Sequence, residues 1–368
     1  MTGLFLTGLK LSHFRSHQIT EIQTDARPIA ITGANGAGKT NILEAVSLFS
    51  PGRGLRRASA EDMTRRPEAL GWKLTSRVSI LERPHEIETW SEAHTARQLK
   101  IDGKAASQLK LADLTRVLWL IPSMDRLFIE GADGRRRFLD RMTLSFTPQH
   151  GEMILTYEKA MRERNRLLKD QVRDAHWYKA LELQMAESGS LIVSHRRAAV
   201  ERLTQAQEAA QTAFPTAGLT LVDTEGDLSE ASEDLARAFA ESRPRDLQAG
   251  RTLVGPHRSD LVARYEAKDV AAKDCSTGEQ KALLISLILA NARALKEDLG
   301  YAPLVLLDEV AAHLDPTRRA ALYDEISALG AQAWMTGTER SLFEALGDRA
   351  RYLNVTDTNG ISKVEQIA

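Results

Sequence analysis

The stretch Gly33-Ala34-Asn35-Gly36-Ala37-Gly38-Lys39-Thr40 decides the fold. It follows a short apolar segment at residues 29–31, and it opens a segment whose apolar residues, from Ile42 to Phe49, recur at helical spacing. The pattern G-x-x-x-x-G-K-[ST] between a strand and a helix predicts a P-loop, whose backbone N–H groups and helix N-terminus bind phosphate oxygens. Lys39 is placed to reach the β- and γ-phosphates, and the Thr40 hydroxyl to ligate Mg²⁺. A glycine-rich loop with a chance lysine is the alternative, and the match of the whole motif in its context argues against it.

The composition is that of an ordinary globular chain. Its 368 residues suggest about two domains. The net charge is −1, so any basic binding surface is local rather than global. The single cysteine, Cys275, excludes an internal disulfide and suits a reducing compartment. The N-terminus lacks the layout of a secretory signal and no apolar stretch is long enough to span a bilayer, so we expect a cytoplasmic protein.

The first part of the chain favours strands around the P-loop helix. Residues 5–11, 18–22 and 71–104 have the mixed or alternating pattern of half-exposed strands, and Asp102-Gly103 is typical of a tight hairpin turn. Residues 117–121 form an apolar run that fits a buried strand. Between these segments stand three arginines that belong either to a solvated loop or to an anion-binding patch, and charge alone favours the loop. They are Arg53, Arg56 and Arg57.

From about residue 135 to residue 210 the apolar residues recur at helical spacing, without the sustained heptads of an extended coiled coil. Further along, Gly255-Pro256-His257-Arg258 precedes a short apolar segment. A structural role is the commoner one for a single histidine such as His257.

Ser276-Thr277-Gly278-Glu279-Gln280 opens a strongly apolar helix. Ser276 and Glu279 have the spacing of a capping box, which is a common helix start. A helix N-terminus with serine and glycine beside it also binds anions, including a γ-phosphate. Taken alone, the segment favours the cap, and its place just before the next motif favours the anion site.

Leu304-Val305-Leu306-Leu307-Asp308-Glu309 is an apolar strand that ends in two carboxylates. Behind a P-loop, this pattern predicts the Walker B element, in which Asp308 holds Mg²⁺ and Glu309 orients and deprotonates the attacking water. His313-Leu314-Asp315-Pro316 and a helix follow, and then a buried strand that ends in Thr336-Gly337-Thr338. Residues 353–364 carry Asn359-Gly360 and predict a closing hairpin.

The order P-loop, S-T-G-E-Q, L-L-D-E, H-L-D-P resembles that of the ABC-type ATPase head. Residues 41–275 separate the P-loop from S-T-G-E-Q, a split that resembles the SMC branch with an insertion too short for an SMC arm. Within that branch, the chain resembles the RecF family of bacterial recombination mediators over nearly its whole length. The matching segments are Leu11-Ser12-His13-Phe14-Arg15, Gly52-Arg53-Gly54-Leu55-Arg56, Arg135-Arg136-Arg137-Phe138-Leu139-Asp140, Arg164-Asn165-Arg166-Leu167-Leu168 and Gly255-Pro256-His257-Arg258.

The resemblance implies an α/β fold. An ABC/SMC-type ATPase head would combine a P-loop sheet with an antiparallel β lobe and carry an inserted, mostly helical lobe. Residues 1–125 would form the N-terminal half of the head with Walker A, and residues 126–245 the inserted lobe. Residues 246–368 would form the C-terminal half with the signature and Walker B.

The resemblance also implies the function of an ATP-dependent DNA-binding recombination mediator. Such a protein binds double-stranded DNA near single-strand gaps and works with RecR and RecO to load RecA onto single-stranded DNA. ATP and Mg²⁺ would be its cofactors, an ATP-dependent homodimer its active form, and weak, DNA-stimulated ATP hydrolysis its switch. Each nucleotide would lie between the P-loop of one subunit and the signature of the other.

The resemblance assigns roles to individual residues. Glu309 and Lys39 would be catalytic, and Thr40 and Asp308 would bind the metal. The nucleotide would be bound by Gly33, Ala34, Asn35, Gly36, Ala37, Gly38, Lys39, Thr40, Arg15, Ser276, Gly278 and Gln280. For DNA the candidates are basic clusters in the sequence rather than residues assigned by the resemblance, and the alternative for these arginines is pairing with acidic neighbours in the head. They are Arg53, Arg56, Arg57, Arg65, Arg66, Arg135, Arg136 and Arg137.

Two departures from the ABC pattern put fast hydrolysis in doubt. Pro122-Ser123-Met124-Asp125 stands near the place of the Q-loop glutamine, and Thr336-Gly337-Thr338 stands in place of the switch histidine. Two other functions share the motifs: an ABC motor subunit of a membrane transporter, and a structural scaffold with a vestigial site. The motif spacing and the missing Q-loop and switch residues argue against the transporter subunit, and the presence of Lys39, Thr40, Asp308 and Glu309 argues against the scaffold.

Overall fold

The structure, a computed structural model, describes residues 3–92, 95–223 and 228–367. The strands are β1 (Leu4–Phe14), β2 (His17–Gln23), β3 (Ile29–Thr32), β4 (Gly71–Ile80), β5 (Arg83–Glu92), β6 (Gln98–Ile101), β7 (Lys104–Ala105), β8 (Val117–Leu120), β9 (Ala217–Val222), β10 (Asp260–Tyr265), β11 (Val270–Ala271), β12 (Leu304–Leu307), β13 (Ala333–Gly337), β14 (Arg351–Thr358) and β15 (Ile361–Ile367). The helices are α1 (Lys39–Ser47), α2 (Leu111–Leu114), α3 (Ala132–Phe146), α4 (His150–Lys169), α5 (Ala175–Glu208), α6 (Ser232–Ala249), α7 (Thr277–Leu299) and α8 (Pro316–Leu329).

The chain divides into two compact units. Unit 1 comprises residues 1–125, 209–215 and 276–368, and unit 2 comprises residues 126–208 and 216–275. The segment 246–275, expected in the C-terminal half of the head, therefore lies in unit 2. The reason is strand pairing: β10 pairs antiparallel with β9, with Asp260 opposite Val222, and this holds the segment in the helical unit.

Unit 1 contains the sheet that carries the P-loop, in the strand order β15-β14-β3-β13-β12-β8. Strands β8, β12, β13, β3 and β14 run parallel to one another, and only β15 is antiparallel to its neighbour. Every residue of β3, β8, β12 and β13 is buried, which explains why these strands are continuous apolar runs rather than alternating ones. Their carboxyl ends meet at one edge of the sheet, where ligands bind in open parallel sheets.

The second sheet of unit 1 is antiparallel, in the order β2-β1-β4-β5-β6-β7. It shares one hydrophobic core with the P-loop sheet and with α1. Within that core the ring of Phe14 meets the ring of Trp72 edge to face, at 5.6 Å between centroids. The predicted P-loop sheet and antiparallel lobe are thus both present, and the predicted closing hairpin is β14–β15.

Unit 2 combines α3, α4, α5 and α6 with the three-stranded sheet β11-β10-β9. Its core is formed where α4, α5 and α6 meet, around Tyr157, Met185 and Phe239. In the part of the chain that the structure describes, no helix combines the length and apolar character needed to cross a membrane.

Candidate nucleotide site

The P-loop connects β3 to α1 at the carboxyl edge of the parallel sheet. Gly33 has φ 146°, and a Cβ at this position would lie 2.1 Å from the carbonyl oxygen of Val355 in β14. Gly38 has φ 108°, and a Cβ there would lie 2.2 Å from Oγ of Ser362 in β15. Both glycines are therefore required by close approach as well as by positive φ.

Lys39 is the first residue of α1 and is almost fully buried. Its ammonium group donates hydrogen bonds to the carbonyl oxygens of Gly33 (2.7 Å) and Ala34 (2.9 Å). Burial lowers the pKa of Lys39, and the charges of Glu309 and Asp308 oppose that change. The lysine thus lies across the loop, with the carboxylates of Asp308 and Glu309 nearby.

The carboxylate of Asp308 lies between the P-loop helix and β13. It is 5% exposed and accepts hydrogen bonds from the hydroxyl of Thr40, at 3.0 Å to Oδ1 and 3.2 Å to Oδ2. The Thr336 hydroxyl at the end of β13 donates to Oδ1 at 2.7 Å. The Thr336 hydroxyl also accepts a hydrogen bond from the backbone N–H of Glu309, at 2.9 Å. A hydroxyl and a carboxylate on adjacent elements are hard oxygen donors of the kind that Mg²⁺ takes alongside phosphate oxygens, so these residues fit the ion.

The signature segment forms the predicted capping box. The Ser276 hydroxyl accepts from the backbone N–H of Glu279, and the Glu279 carboxylate accepts from the backbone N–H of Ser276, at 2.8 Å. Ser276 and Gly278 are exposed, whereas Gln280 is buried. The N-terminus of α7 therefore presents its first turn to solvent. One residue further on, the buried ammonium of Lys281 pairs with Asp125 in the segment near the Q-loop position, at 3.2 Å.

Arg15 and Arg56 converge on the fully buried carboxylate of Glu44 in α1. Arg15 binds both Glu44 oxygens, with distances of 2.9 Å and 2.7 Å. Arg56 donates to Glu44 at 3.1 Å and to Asn41 at 2.8 Å. Beside them lies a cavity of about 660 Å³. It is lined by Arg15, Ser16, Arg56, Ala58, Asp62, Thr64, Arg65, Arg66 and Gly360.

The arginines predicted to contact DNA differ in their surroundings. Arg53 and Arg57 are exposed. In unit 2, Arg135 forms a bidentate pair with Asp260 at 2.8 Å, Arg136 donates to the carbonyl oxygen of Ser259 at 2.9 Å, and Arg137 pairs with Asp133. Arg135 and Arg136 therefore have internal partners that hold α3 to the segment around β10.

Sequence reasoning missed the residues that support the P-loop from behind. His17 is fully buried, its Nε2 lies 3.2 Å from the carbonyl oxygen of Gly38, and its Nδ1 lies 2.9 Å from the hydroxyl of Thr20. Burial lowers the pKa of His17 to about 4. The neutral ring therefore donates through Nε2–H, since a carbonyl oxygen only accepts, and Nδ1 accepts from Thr20. Beside it, the Ser362 hydroxyl donates to the carbonyl oxygen of Ala37 at 2.6 Å.

Comparison with known proteins identifies the family. A family model described as "RecF/RecN/SMC N terminal domain" matches residues 5–363. The DNA replication and repair protein RecF of Rhizobium rhizogenes is 47% identical over 371 aligned residues, which cover 98% of this chain and 99% of that protein. The chain belongs to the RecF family. The RecF protein of Brucella suis is 46% identical over an alignment that covers 95% of this chain and 94% of that protein.

Solved structures of RecF share the fold. Two structures of the recombination mediator protein in the RecFOR pathway, RecF-ATPrS and RecF-ATP, match with TM-scores of 0.85 and 0.83 at 22% identity. Both matches cover 100% of this chain, and they cover 99% and 100% of the two RecF chains. An Smc head domain from Pyrococcus furiosus matches with a TM-score of 0.57 at 18% identity, over 99% of this chain and 96% of that one. The predicted SMC-type head is thereby confirmed.

The motifs of unit 2 that resemble the RecF family take part in buried networks. Arg164 is fully buried and pairs with Glu182 at 3.0 Å and with Asp246 at 2.7 Å. The ring of His257 lies 2.8 Å from the hydroxyl of Tyr157, and burial lowers its pKa to about 4. Arg164 and His257, which belong to these motifs, therefore both bind other residues of unit 2. This agrees with the structural role expected for His257.

Proposed function

We propose that this chain is an ATP-dependent DNA-binding recombination mediator of the RecF type. One observation carries the proposal: Lys39 and Thr40 of the P-loop helix converge with Asp308 at the end of a neighbouring parallel strand. That convergence joins a phosphate-binding loop to a carboxylate, which is the minimum set for binding a nucleoside triphosphate with its metal. Membership of the RecF family supports ATP as the nucleotide and DNA repair and replication as the context.

The residues of the nucleotide site would have different roles, which follow from their chemistry. The N–H groups of residues 33–40 and the Lys39 ammonium would bind the phosphates. The Thr40 hydroxyl and Asp308 would hold Mg²⁺, which neutralises charge on the phosphates when bound. Glu309 would orient the attacking water. Arg15 lines the cavity beside α1, so we place the ribose and base of the nucleotide on that side.

The signature segment supports an ATP-dependent homodimer. Its first turn is exposed on unit 1, and a two-fold symmetric partner would bring the same turn to a nucleotide bound on the opposite P-loop. Ser276 and Gly278 would then contact the γ-phosphate, with the buried Gln280 supporting that turn. Hydrolysis would be weak, stimulated by DNA, and used to reopen the dimer.

Double-stranded and single-stranded DNA, RecR, RecO and RecA are the proposed partners, and the cytoplasm is the proposed location. DNA phosphates would be bound by exposed arginines, of which Arg53 and Arg57 are better candidates than Arg135 and Arg136 because the latter have internal partners. Such binding is independent of sequence and weakens steeply with salt.

The test is duplex-DNA binding with and without ATP, at two salt concentrations, for the wild type and Lys39→Met. We expect ATP to strengthen binding in a salt-sensitive way in the wild type alone. DNA binding that is absent under all conditions would overturn the DNA part of the proposal and leave an ATP-binding head.

Dimerisation is tested separately by analytical ultracentrifugation with saturating ATP. Glu309→Gln should slow hydrolysis and prolong the dimer, because glutamine keeps the size of the side chain and loses the base. A monomer with ATP for the wild type and Glu309→Gln alike would contradict the dimer.

A further inference from the structure

The hydroxyl of Thr336 is bonded to both residues of the Walker B pair. We infer that Thr336 is a positioning residue for ATP hydrolysis, which fixes the carboxylate of Asp308 and the backbone of Glu309 together. The inference rests on the proposed function, since it concerns the same nucleotide site. Thr336 is 1% exposed and Asp308 is 5% exposed, so the hydrogen bond between them is enclosed in the protein.

The direction of the two hydrogen bonds is determined by their chemistry. A threonine hydroxyl has one proton and accepts through its lone pairs. The N–H of Glu309 only donates, so it occupies a lone pair of the Thr336 oxygen at 2.9 Å. The hydroxyl proton therefore points to Oδ1 of Asp308 at 2.7 Å, a charge-assisted hydrogen bond to an acceptor-only group.

The hydrogen bond from the Glu309 N–H to Thr336 matters because of the backbone conformation of Glu309. Glu309 has φ 54°, in the left-handed region that a non-glycine residue adopts only where its surroundings hold it. The bond from the Glu309 N–H to Thr336 is one such restraint. Without it, the residue is free to relax towards an ordinary conformation, and the direction of its carboxylate changes with the backbone.

The position of Thr336 follows from the parallel register of the sheet. Leu307 of β12 lies opposite Met335 of β13, so the next residues, Asp308 and Thr336, meet at the carboxyl edge. The following residue has no room for a larger side chain: a Cβ on Gly337 would lie 2.9 Å from side-chain atoms of Leu342 and Phe343. A larger side chain is therefore excluded at position 337, directly after the threonine whose hydroxyl contacts the carboxylate of Asp308.

The experiment compares Thr336→Val, which removes the hydroxyl and keeps the shape, with Thr336→Ser, which keeps the hydroxyl. Thr32→Val is the matched control. Thr32 is a buried threonine at the end of the neighbouring strand β3, and its hydroxyl donates to the carbonyl oxygen of Leu353 at 3.2 Å. ATP affinity and single-turnover hydrolysis are measured for each variant.

We expect Thr336→Val to lower the hydrolysis rate about 10- to 100-fold, the effect of one lost hydrogen bond to a charged group, with ATP affinity changed less than about threefold. Thr336→Ser and Thr32→Val should stay within about threefold of the wild type in both quantities. An unchanged rate in Thr336→Val, or equal losses in Thr336→Ser and Thr336→Val, would overturn the inference.

A second readout needs no nucleotide. Hydrogen exchange at the amide of Glu309 should be faster in Thr336→Val than in the wild type, because that N–H loses its acceptor, and unchanged in Thr32→Val and Thr336→Ser. Equal exchange in the wild type and Thr336→Val would overturn the inference. Hydrolysis that is equal in the wild type and Lys39→Met would instead overturn the proposed function, and the exchange result would still decide the role of Thr336.

Discussion

The buried histidine behind the P-loop should make the stability of unit 1 depend on pH. His17 lies at the start of β2, fully buried, and its ring is neutral because burial lowers its pKa from 6.5 to about 4. In the unfolded chain the same ring takes up a proton at its ordinary pKa. Between these two values the unfolded state binds more protons, so stability falls as pH falls.

The magnitude follows from the two pKa values of His17. The contribution is complete above pH 6.5 and is lost progressively as the pH falls to about 4. At about 1.4 kcal/mol per pKa unit, the full loss is about 3 kcal/mol, and most of it is reached at pH 4.5. A domain with a free energy of unfolding of roughly 5–15 kcal/mol loses a measurable fraction of its stability in this way.

The assay is urea unfolding at pH 7.5 and pH 4.5, followed by tryptophan fluorescence in a Trp177→Phe background. The four remaining tryptophans all lie in unit 1, so the signal reports the unit that contains His17. His17→Gln keeps a side-chain N–H donor but has no proton to gain over this range. The wild-type background should therefore lose about 2–3 kcal/mol more of its free energy of unfolding than His17→Gln between the two pH values.

Thr20→Val is the control that separates titration from packing. It removes the hydroxyl that donates to Nδ1 of His17 but leaves the imidazole in place. We expect Thr20→Val to be less stable than the wild type at pH 7.5 by about 1 kcal/mol and to keep the pH dependence. If the wild type and His17→Gln lose the same stability between pH 7.5 and 4.5, the reasoning about this histidine is refuted.

Two further predictions concern a close backbone contact in unit 1 and a buried ion pair in unit 2. Gly33→Ala should lower the free energy of unfolding of unit 1 by about 3 kcal/mol, because its Cβ would lie 2.1 Å from a backbone oxygen. Gly36→Ala, whose Cβ would have open space around it, should lower it by only about 1 kcal/mol, because of the positive φ at that position. Chemical denaturation of both variants checks this difference. Arg164→Met should destabilise unit 2 by about 3–5 kcal/mol because it leaves the carboxylate of Asp246 buried without its cation, whereas Glu182 keeps its ion pair with Arg243. A thermal melt in which adding Asp246→Asn restores no stability would contradict this cause.

The elements with strong local signals could be predicted from the sequence. The P-loop context, the capping box at Ser276 and the hairpin at Asp102-Gly103 all depend on residues within a few positions of one another. Asp102 and Gly103 have φ values of 50° and 75°, the positive angles that this pair of residues tolerates. Short-range chemistry is enough to determine such features.

The contacts that complete the site could not be predicted, because they join distant segments through residue types without a motif. The Thr336 hydroxyl reaches Asp308 from a different strand, and a threonine at the end of a buried strand is unremarkable in sequence. The sequence suggests that Arg15 binds the nucleotide and that Arg56 binds DNA, but it does not predict their shared partner Glu44 on the P-loop helix, where an acidic residue suggests an exposed face. Its complete burial is a tertiary property.

The P-loop of this chain depends on segments from both ends of the sequence. From the N-terminal side, the start of β2 supplies His17, whose ring contacts the carbonyl oxygen of Gly38. From the C-terminal side, β14 brings the Val355 carbonyl oxygen against Gly33, and β15 brings the Ser362 hydroxyl to the carbonyl oxygen of Ala37. Because these contacts act on the backbone of the loop, its phosphate-binding shape requires both halves of unit 1 to be folded together. A chain interrupted by unit 2 can therefore form a nucleotide site only after its two distant halves have met.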